Sequence, residues 1–416
     1  FYPKGNQKMK KFVSILIIIC LVFGAAITYT GCGANDAAEP ETSPEPSVEP
    51  SESVDDTETE TASVPQLDFE ELYASHDADE VVMTMDGEDV TWEEYFYWLY
   101  YSGVQVNNYI NQMASYMSAY GMDVSWDDAA DDTGISFKDY VVQLAEDNIR
   151  QIHSIKKFSA ENGVTLTEDN LKAIEEQRKT DMVNLCGEEV SDEEFAEFLK
   201  STYYLPMKVY DDMNEINYLY QNCFAKLYGE DGEKLSDEKA EAYLKDSGYM
   251  NATHILFMTV DPSTGEALDD DTIAEKKALA DKFAAELAGI TDTAKLQERF
   301  AEIKDEYCED TGKETHPDGY IFTPGTMVTE FEDTVNALED YQVSEPVESR
   351  YGYHIIMRLP LTIDTVLKTS DSGTPLTARA LAANQEYGEK LDACNDGIEI
   401  VYTDAFTGFG IADYIK

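Results

Sequence analysis

Two histidines stand inside stretches that read as β-strands. Residues 353–357, entered through Tyr351-Gly352 and rich in β-branched and aromatic side chains, read as one strand and carry His354. Residues 251–260 (NATHILFMTV) read as another, with His254 near its start. About a hundred residues separate the two, so on neighbouring strands of one small sheet their rings would face each other. Paired imidazoles of this kind either move a proton or hold their neighbours in a fixed hydrogen-bond network. A lone buried histidine is more often a satisfied core residue, so the surrounding pattern has to carry the argument.

That pattern is dense over residues 318–358. Asp318-Gly319 and Pro324-Gly325 are turn signals on either side of the apolar piece Tyr320-Ile321-Phe322. Val328, Phe331, Val335 and Leu338 then recur at helical spacing, which gives a short helix one apolar face. Upstream, residues 271–287 and 293–305 read as helices, and 306–318 reads as a loop.

The order A-T-H-I-L-F, two helices, D-G-Y-x-F-x-x-G-x-M-V-x-x-F-E, then P-V-x-S-x-Y-G-Y-H-I-I resembles the parvulin family of peptidyl-prolyl isomerases, over residues 249–360. The resemblance implies that Met327 and Phe331 line a proline pocket with Phe322 beside them. It implies that His254 and His354 pair at its base, and that Ser349 supports them. It puts Asp310 at the acidic position of the loop after the second helix; the alternative, Cys308 in Tyr307-Cys308-Glu309-Asp310, falls at the serine position of the relatives' Y-S-x-D, which leaves Asp310 as the acid. The usual G-G-D-L-G turn of the family is replaced by His316-Pro317-Asp318-Gly319-Tyr320, which places a bulky Tyr320 where relatives often carry glycine. The implied reaction needs no nucleophile, metal or cofactor. Rotating a peptide bond faces a barrier of about 18–20 kcal/mol, and a catalyst lowers it by binding the twisted amide better than either planar form.

Composition sets the context. The 416 residues are enough for two or three domains. The chain carries 84 acidic against 30 basic residues, a formal charge of −54. This excludes nucleic acid as a partner, because phosphate binding needs a basic footprint. It also argues against broad adhesion to anionic lipid. No Lys or Arg occurs between Lys11 and Lys138.

Met9 reads as the start of translation, followed by Lys10-Lys11 and the apolar run 12–27, which has the length of a signal-peptide core and is short for a membrane span. Thr30-Gly31-Cys32 resembles a bacterial lipobox, with Tyr29 where leucine is usual. The resemblance implies a lipid on Cys32 and an anchored protein whose folded part lies outside the cytoplasm. An unlipidated export signal is the alternative. Residues 33–66 are mostly Glu, Pro, Ser, Thr and Asp, and too polar to offset the entropy of ordering. They read as an extended tether of at most ~100 Å.

The body opens with a hairpin signal at residues 81–90, turning at Asp86-Gly87, and a Thr91/Glu94 capping box that starts a long aromatic helix. This opening resembles the helical chaperone domain of PrsA-type and SurA-type foldases. Further helices are expected at 136–163, at 167–185, from the Ser191/Glu194 capping box, at 204–228 past Pro206, and at 236–248. Of the 27 tyrosines many fall in this region, and residues 105–132, rich in Met, Tyr, Asn and Ser, read as an adaptable binding surface. A helix at 377–394 and a short strand at 398–402 end the chain. After Cys20 in the signal and Cys32 are set aside, Cys186, Cys223, Cys308 and Cys394 are widely spaced. No C-x-x-C occurs and the five histidines show no ligand spacing, so no zinc site is expected. A Cys186–Cys223 disulfide stays open.

The reading is an α+β protein: a mainly helical chaperone domain at 67–248, completed by 364–416, around an inserted parvulin-type domain at 249–363. The resemblance implies a membrane-anchored foldase that acts on X–Pro bonds of unfolded exported proteins and needs no cofactor. It leaves open whether the protein works as a homodimer. Two alternatives are an ATP-independent holdase with a silent isomerase domain and a solute-binding lipoprotein. The second would require alternating strand–helix units, which the first half of the chain lacks.

Overall fold

The structure, a computed structural model, describes residues 64–370 and 373–416. The expected export signal with Cys32, and all but the end of the expected tether, lie outside these residues. Pro65 and Gln66, read as the tether's last residues, are fixed. The Trp126 indole N–H donates to the Pro65 carbonyl at 2.7 Å, and Gln66 exchanges backbone hydrogen bonds with Lys416 at 2.6 and 2.8 Å. Among the described residues no helix is long and apolar enough to cross a membrane.

The chain divides into two compact units. The first runs to Tyr220 and takes up the chain again at Leu391–Lys416. After a short helix α1 (Phe69–Tyr73), strands β1 (Val81–Met85) and β2 (Glu88–Thr91) form an antiparallel hairpin. Its turn residues Asp86 and Gly87 both have positive φ, 51° and 82°, as a two-residue turn matched to strand twist requires. Thr91 and Glu94 then cap α2 (Trp92–Ser118) reciprocally. The first turns of α2 bury Trp92 and Tyr95 against Phe406 and Phe409, with ring centroids 4.9 Å apart for Tyr95 and Phe406, and Phe96 against Trp92. Helices α3 (Phe137–Glu161), α4 (Glu168–Cys186) and α5 (Asp192–Tyr203) follow, and Gly163 and Gly187 close α3 and α4 in the left-handed conformation. Tyr204, read from the sequence as the first residue of the next helix, instead ends α5 with φ 53°. Helix α6 (Met207–Tyr228) begins only after Pro206, whose missing N–H suits a helix start. Toward its C-terminus α2 exposes Tyr109 and Tyr116, and the loop after it exposes Tyr120 and Met122.

The second unit covers Gln221–Lys390. It holds α7 (Asp237–Ser247), β3 (Met250–Met258), α8 (Asp270–Ala288), α9 (Thr293–Tyr307), β4 (Tyr320–Phe322), α10 (Thr329–Ala337), β5 (Val347–Ser349), β6 (Gly352–Arg358) and a small hairpin of β7 (Val366–Thr369) and β8 (Pro375–Thr377). Helix α11 (Ala378–Asp396) contains the boundary back to the first unit, where β9 (Ile400–Tyr402) pairs antiparallel with β1. Sequence patterning missed β5, β7 and β8, which are three or four residues long and only partly buried.

In the second unit a four-stranded antiparallel sheet has the order β4-β3-β6-β5. Strands alternate their side chains between faces. Ile255 and Phe257 of β3, with Tyr353, Ile355 and Met357 of β6, pack on Phe283, Leu287, Phe300 and Ile303 of α8 and α9. Met250, Ala252 and Ile356 pack on Phe322, Phe331 and Val335 on the other side. Burying one such large side chain contributes roughly 1.5–3 kcal/mol, so both faces are committed. Gly352 opens β6 at φ 142°, and a Cβ there would stand 2.1 Å from the Phe257 carbonyl oxygen, so only glycine lets the two strands close. None of Cys186, Cys223, Cys308 and Cys394 is joined in a disulfide, so the Cys186–Cys223 bridge left open by the sequence is not formed.

Candidate active site

Strand register places the histidines. His254 is opposite Ile356 and Leu256 is opposite His354, so the two imidazoles are diagonal neighbours on the same face of β3 and β6. Their ring centroids are 5.1 Å apart and the two Nδ1 atoms 3.4 Å apart. Both side chains are buried.

The acid comes from the segment after α9. Strand β4 pairs with β3 only at Met250, Asn251 and Ala252, which leaves the next part of that edge without a strand. Residues 308–310 cover it. The Glu309 N–H donates to the Leu256 carbonyl at 2.9 Å, the Glu309 carboxylate accepts from the Met258 N–H at 2.7 Å, and the Cys308 Sγ accepts from the Leu256 N–H at 3.4 Å. An uncovered edge invites pairing with other chains, and here a side chain and a thiol close it. The path delivers Asp310 to the histidine face, with Oδ2 at 3.0 Å from His254 Nε2. Cys308 goes the other way, into the core with Phe283 and Phe300. Of the two, only Asp310 reaches an imidazole; the Cys308 thiol meets His254 at its backbone carbonyl, 3.7 Å away.

The hydrogen-bond order follows from the ends of the network. Asp310 accepts three bonds: His254 Nε2–H and the Tyr320 hydroxyl (2.5 Å) on Oδ2, and the Gly312 N–H (3.0 Å) on Oδ1. These donors hold its carboxyl far below the usual range, the His254 contact contributing most, against the opposing cost of burial. An ionised Asp310 only accepts, so His254 carries its proton on Nε2, and Nδ1 accepts from His354 Nδ1–H. His354 Nε2 is then an acceptor, and the Ser349 hydroxyl donates to it at 2.7 Å while accepting the Tyr351 N–H at 3.1 Å. We assign these tautomers from the partners, and every polar atom of the row is satisfied. Burial, reinforced by His254 and opposed by Asp310, pushes the His354 pKa down to about 3, so His354 is neutral at physiological pH.

Above this floor lies a groove of about 840 Å³ whose lining includes His254, His354, Asp310, Met327, Phe331 and Tyr351. The Phe331 ring meets His254 edge-on at 5.3 Å and His354 at 5.8 Å between centroids. Phe322 is buried behind Phe331, 5.8 Å between ring centres, and backs the wall rather than lining the groove. Two roles were not read from the sequence. Glu332 accepts the Gly325 N–H at 3.0 Å and the Met327 N–H at 2.8 Å, which fixes the turn that presents Met327. Its place one residue after Phe331, near the start of a helix with no side-chain cap, was the available signal. Tyr320, read as a bulky departure, is bonded to the acid itself. Among the described residues no cluster of three or more His, Cys, Asp or Glu side chains could hold a metal ion. The arrangement offers an apolar wall above a hydrogen-bonded polar floor whose carboxylate, Asp310, is held by its own donors, and it presents no reactive nucleophile.

Comparison with known proteins agrees with this geometry. Residues 254–359 match the family described as Rotamase, the PPIC-type PPIase domain. Over 58 residues the chain is 53% identical to foldase protein PrsA 1 of Bacillus cereus, which is 14% of this chain and 20% of that protein. Over 132 residues it is 32% identical to foldase protein PrsA of Halalkalibacterium halodurans, 30% of this chain and 32% of that protein. A longer match, 24% identical over 318 residues, joins 76% of this chain to 85% of foldase protein PrsA from Caldanaerobacter subterraneus subsp. tengcongensis. The first two matches thus span a third or less of those relatives' own length. The chain is PrsA-like and carries a parvulin-type peptidyl-prolyl isomerase domain.

Proposed function

We propose that this protein is an extracytoplasmic foldase that binds unfolded or partly folded exported proteins and catalyses cis–trans isomerisation of their X–Pro bonds, held to the outer face of the membrane by a lipid on Cys32. The observation that carries the catalytic part is the groove in which Met327 and Phe331 stand over the hydrogen-bonded pair His254–His354. The proline ring takes the apolar wall, and the imide lies over the imidazoles.

Catalysis on this reading is differential binding. Cis and trans prolyl ground states lie within about 0.5–1 kcal/mol of each other, and the barrier between them comes from amide resonance. A twisted amide has lost that resonance and is less polar than either planar form. An apolar wall at Met327 and Phe331 over polar groups already committed to one another therefore favours it over both ground states, and each 1.36 kcal/mol of such preference gives tenfold in rate. Asp310, Ser349 and the two histidines act by orientation: none has to exchange a proton with the substrate. Cys308 takes no part.

The test is exchange spectroscopy on the cis and trans resonances of a proline-containing peptide with the purified protein. The expected result is exchange faster than in buffer, lost in His254→Ala and Asp310→Ala. Exchange equal to buffer would overturn the catalytic reading. A second reading, a holdase with a silent isomerase domain, has one observation in its favour: Tyr320 stands in the groove lining, bonded to the acid. Suppression of client aggregation without accelerated exchange would establish it. Metabolic labelling with a fatty-acid analogue, in cells carrying Cys32 or Cys32→Ala, tests the anchor.

A further inference from the structure

Tyr320 and Gly312 are far apart in kind but share one small volume. The 3-10 turn at Thr311–Glu314 follows Asp310 directly, and the Gly312 N–H donates back to Asp310 Oδ1. Gly312 does not have a positive φ, so its backbone conformation is open to any residue. Space is what demands glycine. A Cβ on Gly312 would lie 2.2 Å from the Tyr320 hydroxyl oxygen and 3.3 Å from the ring carbon bearing it. The hydroxyl thus occupies the volume that a side chain at 312 would fill.

From that seat it donates to Asp310 Oδ2 at 2.5 Å, the same oxygen that accepts His254 Nε2–H. The ring is held as well. Its centroid lies 4.7 Å from that of His316 at an interplanar angle of 23°, a stacked pair, and 5.7 Å from that of His254. The turn after Asp310, the turn before β4 and the start of the sheet therefore converge on one phenol.

We propose that Tyr320 is a positioning residue of the isomerase site and that Gly312 is its matched partner: the phenol, seated in the space glycine leaves, fixes the Asp310 carboxylate and through it the Nε2–H tautomer and orientation of His254. This rests on the isomerase reading for its rate consequence, but not for its structural one. The bulky residue in the turn before β4 is then a built part of the network rather than an obstruction. The small residue at 312 and the large one at 320 are required together.

The experiment uses the full chain with Tyr320→Phe, Gly312→Ala and the double variant, read by ¹⁵N-detected histidine spectra and by peptide exchange. Tyr320→Phe keeps the ring and its stack on His316 and removes only the hydroxyl. Gly312→Ala keeps the hydroxyl and evicts it from its seat. The expected result is that both single variants lose the downfield O–H proton of the short bond and move the His254 ring-nitrogen shifts. Both lower the exchange rate about tenfold with peptide affinity within twofold, and the double variant is no worse than either single, because all three remove one bond. His254 shifts unchanged in Tyr320→Phe, or losses that add in the double variant, would overturn the proposal. If Gly312→Ala fails to fold, Tyr320→Phe alone decides. If the wild-type protein does not accelerate exchange, the isomerase reading fails, while the His254 shifts still decide the positioning role.

Discussion

Ser349 and Asp310 lie at opposite ends of one row of hydrogen bonds, the first on His354 Nε2 and the second on His254 Nε2, with the two imidazoles joined between them through Nδ1. The row sits on one face of a sheet and beneath an apolar wall. Its ends are a hydroxyl and a carboxylate, and each contributes to the protonation pattern of the middle. Consequences for pH, for individual side chains and for the loop above follow from that order.

The first concerns acid. His354 is held neutral down to about pH 3, whereas an unfolded histidine takes its proton near 6.5. Between those values the unfolded chain binds a proton that the folded chain refuses, so stability is full above pH 6.5 and falls as pH drops. At 1.36 kcal/mol per unit, about 2–3 kcal/mol is lost between pH 6.5 and 4.5. Asp310, whose folded pKa lies below its ordinary 3.8, adds a loss in the same direction once pH falls below that value. All three tryptophans, Trp92, Trp98 and Trp126, belong to the first unit, so fluorescence does not report on this site. Hydrogen-exchange protection of β3 and β6 amides across pH does, and His354→Asn should flatten its slope by one proton.

The second concerns the carboxylate. Removing it in Asp310→Ala leaves His254 Nε2–H, the Tyr320 hydroxyl and the Gly312 N–H without their acceptor. An unsatisfied buried group costs about 1–3 kcal/mol. A loss of about 3 kcal/mol in stability is expected, since Asp310 is not fully buried and water can reach part of the gap. Exchange of proline peptides should fall at least tenfold. Asp310→Asn retains an accepting oxygen and should lie between the two. Calorimetry of the three proteins, beside their exchange rates, checks the order.

A third concerns the thiol two residues earlier. Cys308 is 4% exposed and packs in the core on the α8–α9 side of the sheet. Cys308→Ala should therefore cost about 1–2 kcal/mol of stability, at the low end for deleting buried volume, and leave the exchange rate within twofold. Thiol reagents should modify it at the rate of unfolding. A tenfold loss of rate with stability unchanged would put the thiol into the chemistry.

How far the site was legible depended on what each residue does. The histidines were readable because β-branched and aromatic runs around 254 and 354 mark strands, and alternation fixes which face a residue takes. Met327 and Phe331 were readable through the family resemblance and the helical period of Val328, Phe331 and Val335. The choice of Asp310 over Cys308 as the acid was readable only through the family resemblance, because it turns on how residues 308–310 run along an unpaired strand edge, a tertiary fact with no periodic signature. The role of Tyr320 was not legible for a related reason. Its bulk set it apart from relatives, and only its pairing with the missing Cβ of Gly312 shows where the hydroxyl goes. The helix at 207 was begun too early because Tyr204 reads as a good helix residue, while its left-handed backbone ends the preceding helix. Strands β5, β7 and β8 are too short for alternation to register.

The last prediction concerns Glu332, which touches nothing in the floor. Its two oxygens accept the N–H groups of Gly325 and Met327, so one carboxylate holds both ends of the turn that presents the Met327 side chain. Hydrogen bonds to a charged group contribute roughly 1.5–3 kcal/mol each when well formed, but here one partner, Gly325, is exposed and water can replace the bond. Glu332→Ala should therefore cost only about 1–2 kcal/mol of stability while releasing the turn. The floor stays ordered, so the twisted amide is still preferred once a peptide is bound. The wall becomes mobile, so binding the peptide requires ordering it first. The expected outcome is KM raised about three- to tenfold with kcat within twofold. Glu332→Gln, with one accepting oxygen left, should recover part of the loss. Met327→Ala should raise KM by a similar factor, and combining it with Glu332→Ala should add little, because the turn would then have no side chain to present. Additive losses, or a fall in kcat with KM unchanged, would mean that Glu332 acts on the floor instead.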